Sequence, residues 1–434
     1  MLAPLLVAAL LLGQAAGKPD PMTEAFQAVR TRGSALHALK IMEDHWAATG
    51  KDDFSSQTLG WFYSFLGETQ KANEVFPKYQ DRNAKPPIDE LDACRSVDAV
   101  EAVVREAKRH QVLMINEMHH VPQVRTFILA VMRRLRSEGY RYYAAETFQN
   151  YEPLILSGHA RFDTGRYTLE PLFGQIVREM LMVGYQPVAY ESTIYVPSDT
   201  DAQAIARRET EEAHNLIAKV FHRNPRARVL VHAGGSHIYK ASDSVGNRWM
   251  AARLIEETGL DVFTVDTADM REESPSENAW ASYDHVMARH RPKSPIALRR
   301  PDGTYWTGGW AKNAVDLQVF FPRTELVHGR PNWITWETGR RLIPIPFKAP
   351  DPALRYLAEA SVVGEPEDAI PVDRVVIWPG KPIPYLALPP GQYEIRFYDE
   401  EGRVAAPMRR CISVDNRKLL GGTPKATETA KIRP

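Results

Sequence analysis

The 434-residue chain has only two cysteines, Cys94 and Cys411. That excludes a disulfide scaffold and any zinc module built on paired cysteines. An oxidising compartment would allow the two to pair, and their separation leaves a bridge and two buried thiols equally open. There is no excess charge of either sign, since 54 Lys and Arg face 54 Asp and Glu. The chain therefore carries no electrostatic case for a nucleic acid or an anionic membrane as partner. P-loop and Gly-x-Ser-x-Gly signatures are absent, and Gly234-Gly235 is too short for a dinucleotide fingerprint. Long apolar runs are missing too. The one at the start ends at Lys18 and Asp20, short of the roughly 20 residues that span a bilayer.

That first run has another use. Residues 1–17 are almost wholly apolar and close on Ala15, Ala16 and Gly17, the pattern of a cleaved secretory leader, although no Lys or Arg precedes the run. The expectation is an exported protein, periplasmic or secreted, with no stable membrane anchor after cleavage. No cysteine follows the run, which argues against a lipid-anchored form.

The length suggests about two to three domains. Phe26, Val29, Leu36, Leu39 and Met42 fall at helical spacing, so residues 18–90 read as a helical region. Across 91–290 short apolar runs alternate with amphipathic stretches. The runs cover 112–115, 142–145, 187–190, 228–231 and 262–265, and suit buried parallel strands. Between the first two, Val124, Phe127, Ile128, Val131, Met132 and Leu135 form the buried stripe of a helix that Gly139 ends. The fold class expected is α/β: a mainly parallel sheet with flanking helices, preceded by a helical segment and followed by a small all-β module. Residues 291–350, with Trp306, Trp310, Trp333 and Trp336, read as an aromatic-rich connection. Pro-Gly turns between β-rich runs make 351–414 a β-sandwich-like module, and 415–434 reads as a disordered tail.

Open α/β sheets bind ligands outside the carboxyl ends of their strands. Here those ends are chemically loaded. Glu117, His119 and His120 follow the first run, Glu146 the second, Glu191 the third, and His232 with Gly234-Gly235-Ser236-His237 the fourth. Singly, each is an ordinary helix cap or core polar group. Together on one rim they describe a cleft that can titrate, or hold a metal. Glu117, Glu146, His119 and His237 could polarise a water or bind a divalent ion, and Arg208 could stabilise an oxyanion or clamp an anionic substrate. His120, Glu191 and His232 are candidate substrate contacts.

Two motifs carry a resemblance. Asn116-Glu117-Met118-His119, followed by Glu146-Thr147-Phe148, and then Gly234-Gly235-Ser236-His237, resemble the Tiki superfamily and its paired Gly-x-x-His motifs. Asn116 stands where that family usually has Gly. Arg208-Glu209, followed by Ala213 and Asn215, resembles a helix motif of its erythromycin-esterase branch. The likeness covers the middle third of the chain. It implies a hydrolase acting on an ester, amide or lactone bond of a small-molecule or peptide substrate, with or without a divalent metal on Glu117, His119 and His237. The haem-binding, ChaN-type branch implies the alternative: capture of haem or an iron compound without turnover, with axial candidates in His119, His120, Tyr142 and Tyr143.

Overall fold

The computed structural model describes residues 20–78, 85–149, 153–194, 196–243, 245–405 and 410–414. The leader 1–17, the side chain of Cys411 and the tail 415–434 lie outside the described residues. The chain opens with helices α1 (Pro21–Ala28), α2 (Ala35–Ala48), α3 (Asp53–Phe65), α4 (Thr69–Val75) and α5 (Ile88–Ala93). Asp20 and Asp52 start α1 and α3 by accepting hydrogen bonds from backbone amides of the first turn.

An alternating α/β segment follows: β1 (Arg95–Asp98), α6 (Ala99–Ala107), β2 (Val112–Glu117), α7 (Gln123–Leu135), β3 (Tyr142–Ala145), α8 (Pro153–Ser157), α9 (Pro171–Met182), β4 (Gln186–Ala189), α10 (Asp201–Leu216), β5 (Val229–Gly234), α11 (Met250–Thr258), β6 (Val262–Asp266), α12 (Ala281–His290), β7 (Ile296–Arg299) and β8 (Leu317–Phe320). One sheet of eight strands results, in the order β1-β7-β8-β6-β2-β5-β3-β4. From β8 to β4 every pairing is parallel, while β7 pairs antiparallel with both β1 and β8. The mainly parallel α/β architecture expected from the sequence is present. The sheet nevertheless runs past residue 290. The stretch expected as a connection supplies β7 and β8, and Trp306 is buried against Phe320 at a ring distance of 5.7 Å.

Strand β2 shows why the runs read as buried on both sides. Leu113 and Ile115 enter the core on one face, Val112 and Met114 that on the other, as the two-residue period of a strand dictates. The stripe of α7 is fully buried from Val124 to Leu135. A capping box of Thr200 and Gln203 starts α10, and a π-turn, Ile217–Phe221, extends it.

Beyond the sheet, the C-terminal part is antiparallel. Strands Asp373–Ile377, Tyr356–Val362, Gly391–Tyr398 and Arg410–Val414 lie side by side in that order, and Arg341–Ile343 pairs with Leu386–Leu388. These strands have a core of their own, yet Leu357, Val376 and Tyr398 point into the main one. Among the described residues no helix is long and apolar enough to cross a membrane.

Candidate active site

The carboxyl ends of β2, β3 and β5, with the residues after β4, carry one connected set of charged side chains. Glu117, the last residue of β2, is fully buried. Its Oε1 receives Arg125 Nη2 at 2.7 Å and faces His119 Nδ1 at 3.0 Å. Its Oε2 receives Arg125 Nε at 2.9 Å and lies 2.9 Å from His232 Nε2. Burial by itself would raise the Glu117 pKa, but Arg125 and His232 outweigh it and hold the carboxyl well below its ordinary range. Arg125, in the first turn of α7, is itself fully buried and also reaches Glu170 at 3.0 Å. Glu170 in turn caps α9 through the amide of Phe173.

His119 keeps 16% of its side chain exposed, more than the other histidines of the set. Its ring stacks on Tyr167 at 3.5 Å and meets the edge of Trp61 from α3 at 6.2 Å. The nitrogen that does not face Glu117, Nε2, lies 3.7 Å from Glu146 Oε1. Glu146, just after β3, accepts the backbone N–H of Gly234 and receives Arg208 Nη2 at 2.9 Å. Burial raises its pKa, and His119, Arg208 and His237 together override that, bringing it down to about 2.

Arg208 on α10 also grips Glu191 and lies 3.0 Å from Glu212. Its donors thus face three carboxylates of the protein, which corrects the expectation that it would meet an oxyanion or an anionic substrate directly. It is a positioning residue. From Glu212 the chain of contacts continues to His237. The Nδ1 of that ring lies 3.1 Å from Glu212 and 2.8 Å from Glu209. Burial alone would lower the pKa of His237, yet the two acids raise it well above the ordinary value, while burial drives Glu212 up. Both shifts favour keeping a proton on this triple.

Most of the residues singled out in the sequence are thereby brought together: Glu117, His119, Glu146, Glu191, Arg208, His232 and His237 belong to one network. Besides that of Arg208, three roles differ from expectation. His232 is 2% exposed, stacks on Phe173 at 4.9 Å and accepts or donates to the Tyr143 hydroxyl at 2.9 Å. It braces Glu117 and is not placed to touch substrate. His120 turns away from the network and stacks on Phe76 at 3.6 Å. The metal set expected, Glu117, His119 and His237, is replaced by Glu209, Glu212 and His237, whose ligand atoms lie within 4.8 Å of one another. Both oxygens of Glu117 are already occupied by Arg125, His119 and His232.

Arg125, Glu170, Glu209, Glu212, Trp61 and Tyr167 were not candidates in the sequence. Their signal was present for three of them. Glu209 and Glu212 occupy the buried stripe of α10 with Ile205, Ala213 and Leu216, and Arg125 sits amid the apolar residues of α7. A charge within an apolar stripe needs a partner. Asn116 acts through its side chain. It donates to Gly235 O at 2.8 Å and Asp266 Oδ1 at 2.7 Å and accepts from Thr267 N at 2.7 Å. It thus ties together the ends of β2, β5 and β6.

Fold and cleft together define a mainly parallel α/β protein with a carboxylate–histidine site at the strand ends. No protein family and no curated protein matches the chain. Among solved structures it is similar to the type III effector HopBA1, at 11% identity and a TM-score of 0.33, over 53% of this chain and 96% of that one. It is also similar to RRSP, a MARTX toxin effector domain from Vibrio vulnificus CMCP6, at 16% identity and a TM-score of 0.29, over 50% of this chain and 44% of that one. A third, described as "Bacterial protein toxins", gives 18% identity and a TM-score of 0.31, over 50% and 46%. The match spans under half the length of the last two.

Proposed function

We propose that this chain is an exported hydrolase of the Tiki type, in which His119 activates a water for attack on an ester, amide or lactone bond. The observation that carries this reading is the setting of His119. A carboxylate kept ionised by a buried arginine faces its Nδ1, and the ring is the most exposed of the network's histidines.

In that setting Glu117 accepts the Nδ1–H and fixes the tautomer, leaving the Nε2 lone pair for a proton. The water gives its proton to Nε2 as its oxygen attacks the carbonyl carbon. The imidazolium that forms is stabilised by Glu117 and Glu146, and it returns the proton to the departing oxygen or nitrogen. His237 is the cation of the cluster outside the Arg208 fork. With Nδ1 facing Glu209 and Glu212, its Nε2–H is the donor for the developing oxyanion. Arg208 holds Glu146, Glu191 and Glu212 in place.

A divalent metal fits one place, because ligand atoms of Glu209, Glu212 and His237 lie within 4.8 Å of one another, and binding there would displace the contacts that Arg208 and His237 make to Glu212. Those three residues would hold the ion, which would supply Lewis-acid polarisation there. Haem fits less well. It needs an open axial ligand against an apolar wall, whereas Tyr143 and His120 are buried and His119 lies flat on Tyr167 between two carboxylates.

The test is turnover of a panel of esters, amides and lactones by the mature protein and by His119→Gln, with and without a chelator. His119→Gln is expected to lose at least about 100-fold in kcat, the scale of a general base, with little change in Tm. Undiminished turnover by His119→Gln, or a wild type that hydrolyses nothing on the panel, overturns the assignment.

A further inference from the structure

A second room opens beside the cleft, behind His120. It is a cavity of about 220 Å³ between α4, the loop from β2 to α7 and the segment after β6, and its lining includes Asn73, His120, Gln123, Arg271, Glu273 and Trp333. One water centre needs only roughly 10–15 Å³, so this space holds more than a solvent molecule or two.

The unusual member is His120. It is 1% exposed, its ring lies flat on Phe76 with planes 11° apart, and neither ring nitrogen has a hydrogen-bond partner. Buried polar atoms are nearly always partnered. Burial, with Arg271 and Lys78 nearby, holds this imidazole neutral, so it presents one donor and one acceptor.

The positive charges beside the cavity are already matched. Glu273 lies 2.7 Å from Arg271 Nη2 and 2.5 Å from Lys78 Nζ, and Glu272 accepts from the amide and hydroxyl of Thr324. Among the described residues no three metal-ligand atoms converge here. Among the same residues an anion would find no uncompensated positive charge, and the acids without a cationic partner, Glu272 and the exposed Glu74, do not converge with a third ligand. Asn73, Gln123, Thr324 and the Trp333 N–H already bond within the protein, so what remains is the neutral imidazole, the side chains of Thr69, Gln70 and Ser274, and the face of the Trp333 indole. Polar groups that both give and accept hydrogen bonds, beside an aromatic surface, suit a molecule covered in hydroxyls.

We propose that this cavity is a second ligand site, separate from the hydrolytic cleft, for an uncharged polyhydroxy molecule of about monosaccharide size, held through the two ring nitrogens of His120. The site stands whether or not the hydrolase reading holds, because it uses none of the residues of that network.

Calorimetric titration of the mature protein with glucose, myo-inositol and N-acetylglucosamine tests it, with inorganic phosphate and zinc as charged probes. Saturable binding of at least one of the three uncharged probes is expected. His120→Phe keeps the stack on Phe76, removes both nitrogens, and should weaken that binding tenfold or more. Gln70→Trp, at the exposed rim, should block it even if His120→Phe fails to fold, and His119→Gln should leave it intact. Three outcomes overturn the proposal: no uncharged probe binds, binding survives His120→Phe or Gln70→Trp, or phosphate or zinc binds in a His120-dependent way while the sugars do not. Loss of binding in His119→Gln would overturn the separateness of the two sites.

Discussion

Glu117 and Arg125 are each fully buried, and each is most of the other's solvation. Removing one partner of such a pair typically costs about 3–5 kcal/mol, because the charge left behind is stranded. Glu117→Gln should therefore lose both activity and stability, and Arg125→Met should lose a comparable amount of stability. The double variant should cost less than the sum of the two, a coupling that urea denaturation of all four proteins would measure. Additive losses would show that the two do not act as a unit. The contrast with His119→Gln matters, since only the exposed ring separates chemistry from folding. Glu117 could be found in the sequence because it follows an apolar run directly. Its need for Arg125 could not, because seven residues and the start of a helix lie between them, and only the fold turns that helix back over the strand end.

At the scale of elements, the site depends on β5 approaching β2 and β3 closely. A Cβ on Gly234 would lie 2.6 Å from both Cε1 and Nε2 of His119 and 2.8 Å from Glu146 Oε2. Gly234→Ala should push His119 out of line and lower kcat by about 100-fold, the usual scale for a misplacement of about 1 Å. Gly235, whose φ is +41°, has open space around its missing Cβ. Gly235→Ala should cost roughly 1–2 kcal/mol of strain and leave kcat nearly untouched. Equal kinetic losses in the two variants would refute this division. The parallel strands β2 to β6 were legible because each is a short apolar run closed by a polar residue. Strands β1, β7 and β8 were not, since four-residue pieces such as Ile296–Arg299, set among prolines and arginines, resemble connection more than sheet.

For the molecule as a whole, the C-terminal strands behave as part of one body. Arg374 is fully buried, gripping Glu359 at 2.8 Å and the carbonyl of Leu169 at 3.2 Å. Arg32 from the N-terminal helices donates to Ala369 O at 2.9 Å, and Arg355 to Glu43 at 2.8 Å. With Leu357, Val376 and Tyr398 in the main core as well, calorimetry of the mature protein should show one cooperative transition. Two resolved transitions would mean that the C-terminal strands fold separately. Composition and Pro-Gly spacing made the change to antiparallel structure visible. Nothing in them showed that one face of these strands would join the larger core, because that face is apolar in an isolated module too.

The clasp between Glu117 and Arg125 has a consequence for tracing ancestry. A change at either position alone leaves an ion without its counterpart, so lineages descending from a common gene should keep both or exchange both together. A glutamate closing a buried strand with an arginine eight places on, in the first turn of the next helix, is then a durable mark of descent.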